Sequence, residues 1–140
     1  MSVNAKAEVR AVRTELLRTV GAATAAYGIA VACRPDWLAR PTGLADPEGG
    51  TGPHTAMVLR PLAWRDAASG LAMLVAPAGP ALATAAAVRI ASDVGDAVLL
   101  GTTLPSRIRR VGTVVTALSW AALTLMALLA QPPTERDPET

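Results

Sequence analysis

Between Ala81 and Leu104 the chain is almost wholly apolar, yet Arg89, Asp93 and Asp96 stand inside that stretch. A charged side chain near a bilayer centre costs about 2.5 to 3.5 kcal/mol even on a lenient insertion scale, so it turns toward a protein interior and finds partners there. On a helix advancing about 100° per residue, Asp93 lies about 40° from Arg89, and Asp96 lies about 20° from it on the other side. All three share one narrow stripe, bordered by Ser92. Val88, Ile90, Ala91, Val98 and Leu99 cover most of the remaining surface.

The surrounding chain favours a lipid setting. It is 51% hydrophobic over 140 residues, built from Ala, Val and Leu, with three Trp, one Tyr and no Phe. An aqueous core of this size would have few large anchors, whereas helices packed through small residues need fewer. Val111 to Ala130 carries no charge and is bounded by Arg110 and by Gln131-Pro132-Pro133. Its length matches a hydrocarbon core of roughly 30 Å. A first span runs from Leu16 to Cys33, with Arg18 near enough to its end to snorkel and Arg34-Pro35 stopping it. Two further segments, Leu62 to Ala76 and Ala81 to Leu104, are parted by Pro77-Ala78-Gly79-Pro80. Two prolines flanking a glycine argue for a turn rather than for one continuous helix over Ala67 to Val88.

The expected fold is thus all-α: an integral membrane four-helix bundle with a tight hairpin between helices 2 and 3. Residues 1–15 form an amphipathic lead, 16–130 the transmembrane domain and 131–140 a disordered tail. In the lead, Ala5, Val9, Val12 and Leu16 oppose Lys6, Arg10 and Arg13. Arg34 to Pro61 reads as a Pro- and Gly-rich loop, with an interfacial turn over Asp36 to Arg40 and with Trp37 and Trp64 at one membrane face. Five basic residues on one face stand against six on the other. That count decides nothing, and because N-terminal positive charges usually dominate, both termini of a multi-pass cell-membrane protein are expected in the cytoplasm.

The hairpin supplies partners for the charged stripe. Arg65 and Asp66 precede the turn by about 13 residues, and Arg89 to Asp93 follow it by about as many, so an antiparallel pair brings all five to one depth, about 20 Å from the turn. Arg65 can then reach Asp93 or Asp96, and Asp66 can reach Arg89. Two arginines and three aspartates leave one negative charge for a proton, a cation or a substrate to balance. Tyr27, Thr116, Ser119 and Trp120 are candidates to line the same space, while Gly21, Ala25 and Gly28 give the first helix a face for close packing. Cys33 excludes an intramolecular disulfide by being alone, and reads as an inert thiol at a helix end. His54 stands alone in a Gly-Pro loop, away from other metal ligands, and neither a phosphate-binding loop nor a Ser-His-Asp set is present.

Tyr27-Gly28, Arg34-Pro35, Arg65-Asp66 with Gly70, and Asp93 to Asp96 together resemble a family of small bacterial four-helix membrane proteins of unknown function. The resemblance covers roughly Val20 to Ala130. It implies an architecture and brings no reaction with it. The residues point to a pocket for a lipophilic small molecule, with Asp93, Asp96 and Asp66 as acid or base and Arg89, Arg65, Tyr27, Trp120 and Ser119 binding or orienting. An isomerase, a cyclase or an epoxide-opening enzyme could use such a site. A non-catalytic subunit or lipid-binding module with a structural ion-pair network is the competing reading, and a proton-coupled small transporter a further one. The expected partners are the bilayer, a lipophilic ligand and further copies of the chain. Neither a cofactor nor a metal is implied, and basic residues without interleaved aromatics do not indicate nucleic acid.

Overall fold

The computed structural model describes residues 3–130. Among these it holds five α-helices and no strand: α1 (Val3–Cys33), α2 (Asp36–Thr42), α3 (Pro53–Val75), α4 (Pro80–Thr103) and α5 (Arg107–Leu129). The fold is all-α. Helices over Ala7–Cys33 and Arg107–Leu129 are long and apolar enough to cross a membrane. α3 and α4 match them in length, but α3 carries Arg60, Arg65 and Asp66, and α4 carries Arg89, Asp93 and Asp96. Of the four crossings expected from the sequence, two therefore have the apolarity for it. The tail over 131–140 lies outside the described residues.

The lead is continuous with the first helix, as its periodicity suggests. α3 differs more: it starts at Pro53, within the stretch expected to be loop. Proline at the first helical position lacks an N–H that would have no partner there anyway, and Gly52 precedes it in an extended conformation. Pro61, expected as the last residue of that loop, lies inside α3. Trp64 is consequently about 17 Å along the helix from Pro53 at 1.5 Å per residue, rather than near its end. Cys33 closes α1 and is exposed.

α2 is short and tied down locally. Asp36 accepts a hydrogen bond from Thr51, Arg40 Nε donates to Gly49 O at 3.0 Å, and Gly43 ends the helix in the left-handed conformation. The α3–α4 turn needs its glycine too. Gly79 has φ 117° and ψ −142°, a region open essentially to glycine alone, and Pro80 follows as the first residue of α4. At the next turn Arg110 donates from Nε and Nη2 to Leu104 O, at 3.1 and 2.7 Å, and so covers a carbonyl at the end of α4.

α1 packs chiefly on α3, and α4 on α5. The first seam is glycine-made. A Cβ on Gly28 would lie 2.5 Å from Ala67 N and 2.7 Å from Ala63 O, and one on Gly70 would lie 2.5 Å from Ala25 N and 2.6 Å from Gly21 O. The small-residue face of α1 therefore seats the backbone of α3 directly. Leu17, Met73, Leu82, Ala86 and Ala127 form one buried cluster toward the hairpin turn; Val31, Ala32 and Ala63 form another near the end of α1. The charged residues lie between the two.

Because the atoms facing Gly28 are backbone and cannot rotate aside, Gly28→Val should destabilise the protein by roughly 3 kcal/mol, the upper end for overpacking. A thermal unfolding midpoint matching wild type in detergent would contradict this seam.

Candidate functional site

Arg89 is the largest fully buried side chain, with 2% of its surface exposed. Its stem rises from α4, and its head is fixed on both sides. Nε donates to Asp93 Oδ2 at 3.0 Å, Nη2 pairs with Asp93 Oδ1, and Nη1 donates to Asp66 Oδ1 at 2.8 Å and Ser69 Oγ at 3.3 Å. Asp93 follows by one helical turn, so its fork is local to α4. Asp66 and Ser69 come from α3.

Arg65 extends the chain of pairs outward. Its Nη2 donates to the same Asp66 Oδ1 at 2.9 Å and to Asp96 Oδ2 at 2.6 Å. The order is Asp93, Arg89, Asp66, Arg65, Asp96, with Asp66 Oδ1 shared by both guanidinium groups. Ser69 donates to Asp66 O at 3.0 Å and fixes the middle of the chain against its own helix. Asp93 and Asp96, expected as neighbouring like charges on one stripe, are each answered by a different arginine. Among the described residues no other ion pair is formed, so the cluster retains its single surplus negative charge.

A cavity of about 630 Å³ opens against this cluster. Asp66, Arg89, Asp93 and Asp96 form its charged end, and Tyr27 and Trp120 supply aromatic wall. Arg65 is absent from the lining and is tied to it through Asp66 and Asp96. Ser119 is exposed and also absent from the lining, so the lining role expected for it is corrected. It sits about 100° around α5 from Trp120, whereas Ile108, Gly112, Thr116 and Trp120 repeat every fourth residue along the cavity stripe. The volume lies within the range typical of small-molecule sites, about 300 to 1,000 Å³.

Arg109 and Thr24 are among the lining residues that escape a reading of the sequence. Arg109 stands at the outer end of the stripe, its guanidinium occupying the space that a Cβ on Gly43 would need. It joins the end of α2 to the start of α5. Thr24 is 1% exposed, and its hydroxyl finds no hydrogen-bond partner among the described residues. In helices Thr14, Thr19, Thr84, Thr113, Thr116 and Thr124 each donate to the carbonyl four residues back. Thr24 does not. Its place three residues before Tyr27, on the same face of α1, was the one available signal.

Most donors at the charged end are engaged, while Asp66 Oδ2 and Asp96 Oδ1 accept no hydrogen bond among the described residues. No three His, Cys, Asp or Glu side chains there come together as metal ligands, because the guanidinium groups separate the aspartates. No family model, curated protein or solved structure matches the chain.

Removing one partner from a buried ion pair typically costs about 3 to 5 kcal/mol, since the other charge is left without an answer. Arg89→Met should lose that much, strand Asp93, leave Asp66 to Arg65 alone, and lower the unfolding midpoint accordingly. Arg89→Met with Asp93→Leu should recover part of the loss. A single variant as stable as wild type would show that Arg89 does not organise the cluster.

Proposed function

We propose that the chain is a four-crossing integral membrane protein whose cavity holds a lipophilic small molecule beside a carboxyl able to give and take a proton. The observation that carries this reading is the cavity itself, apolar along its walls and ended by three aspartates and an arginine. The distribution of side chains supports the membrane setting. Val88, Val98 and Leu99 on α4 and Val115, Leu118 and Met126 on α5 are exposed, while Arg89 and Asp93 are buried. In water this arrangement opposes the hydrophobic effect; in lipid it follows the cost of each group. At 23 and 24 residues, α3 and α4 reach about 35 Å, enough for the hydrocarbon core.

The pairing divides the carboxylates. Asp93 is gripped through both oxygens by Arg89, a hold suited to orientation. Asp96 has one oxygen on Arg65 and the other unpaired, so it is the residue we assign to proton exchange. Such a group beside a dry apolar wall can protonate an alkene or an epoxide oxygen and take a proton back, the chemistry of an isomerase, a cyclase or an epoxide-opening enzyme.

Topology is testable with cysteine labelling, using native Cys33 and single cysteines at Ala78 or Ser106 in a Cys33→Ser background. A membrane-impermeant maleimide should reach positions 33 and 106 from one side and position 78 from the other. Labelling of all three from one side would leave only α1 and α5 crossing. The pocket is testable by native mass spectrometry of the detergent-purified protein, where a hydrophobic ligand should be retained by wild type and reduced in Asp96→Asn. Wild-type protein that never carries one would favour a structural ion-pair network.

A further inference from the structure

Resting on the reading of the cavity as a lipophile site, its unmet hydrogen-bonding needs narrow the ligand. The charged end asks for donors and for positive charge. Five ionised residues there sum to one negative charge, and Arg89 spends Nε and both terminal nitrogens on Asp93, Asp66 and Ser69. Arg65 spends Nη2 on Asp66 and Asp96. Among the aspartates of the cluster, what these bonds leave open is acceptor capacity, on Asp66 Oδ2 and Asp96 Oδ1.

Thr24 supplies a second, separate observation: an unmet hydroxyl that can accept a hydrogen bond as well as donate one. It lines the cavity from α1, whereas the aspartates come from α3 and α4, and its buried Oγ1 is unpartnered among the described residues. A buried polar group left unsatisfied costs about 1 to 3 kcal/mol, and the usual remedy of bonding back to the helix is not taken here. Tyr27 and Trp120 add ring faces, which attract a cation. Arg109, the one positive lining residue outside the cluster, stands at the start of α5. From there to Trp120 is about 17 Å of helix at 1.5 Å per residue. The cavity therefore has a negative, acceptor-rich inner end, a long apolar wall and a positive outer end.

We propose that the cavity binds an amphiphilic organic ammonium, its N–H groups directed at Asp66, Asp96 and the Thr24 hydroxyl and its apolar body lying along α5. A primary or secondary ammonium answers the surplus charge and the open acceptors together. A quaternary ammonium answers only the charge, an alcohol only a hydrogen bond, and a carboxylate meets repulsion at the inner end. The expected order of affinity follows from those differences.

The test uses the full chain in maltoside micelles or nanodiscs, titrated calorimetrically with four probes sharing one alkyl chain: dodecylammonium, dodecyltrimethylammonium, dodecanol and dodecanoate. Asp96→Asn is run in parallel, so that partition into the amphiphile, common to both proteins, cancels in the difference. Dodecylammonium should bind wild type saturably and at least about tenfold more tightly than the other three, a gap of about 1.4 kcal/mol. Asp96→Asn should remove most of that preference. Because the loss of Asp96 deprives Arg65 of a partner, Thr24→Val provides a second reading without touching an ion pair. It should weaken dodecylammonium several-fold, and Thr24→Ser should restore it. Equal binding of dodecanol and dodecylammonium would overturn the proposal while leaving a lipophile pocket in place. Saturable binding of none of the four would overturn both.

Discussion

One guanidinium sets the register of this protein. Arg89 brings five N–H donors into a space almost closed to solvent, and each must be answered by an acceptor from the surrounding helices. Asp93 can do so from one turn away on α4, but Asp66 and Ser69 can do so only if α3 lies antiparallel at one particular depth. That depth in turn fixes the length of the α3–α4 connection and the need for Gly79 within it. A slip of α3 along α4 would take Asp66 and Ser69 away from Arg89 and Asp96 away from Arg65, where an apolar contact would tolerate the shift.

The same helix is held from its other side by a different kind of contact. Ala63 and Ala67 flank Asp66 in sequence and meet the missing side chain of Gly28, so the stretch of α3 that answers Arg89 is also the stretch pressed closest to α1. Close approach of α1 to α3, with α4 packed mainly on α5, leaves the space between these pairs less filled. The cavity occupies it. Its charged end is thus a by-product of two packing decisions, one made by glycine and one by arginine, and its apolar wall is simply the face of α5 that neither decision covers.

Much of this was legible from spacing. The depth match of Arg65-Asp66 with Arg89-Asp93-Asp96 required only a turn at Pro77 to Pro80 and a rise per residue, and the small-residue face of α1 required only its periodicity. What was hidden has physical causes. Proline looks alike whether it begins a helix or interrupts one, so the start of α3 at Pro53 was obscured by Pro61 inside it. Periodicity relates residues on α5 to one another without saying which stripe faces inward, so Ser119 was grouped with Trp120 although it points elsewhere. Thr24 was invisible because a helical threonine ordinarily satisfies itself, and only coordinates reveal the exception. α3 and α4 fall short of α1 and α5 as spans because of the charges that each carries among its apolar residues.

That last point gives the hairpin a meaning beyond register. In the proposed four-crossing arrangement neither α3 nor α4 would enter lipid readily alone, since each would carry uncompensated charge into it. Folded on the Gly79 turn, the two carry both arginines and all three aspartates of the cluster between them, and every ion pair is internal to that one unit. The hairpin is then the smallest piece of the chain that contains every one of these ion pairs. In biogenesis it would behave as a single inserting body, joining α1 and α5 only after those pairs have formed.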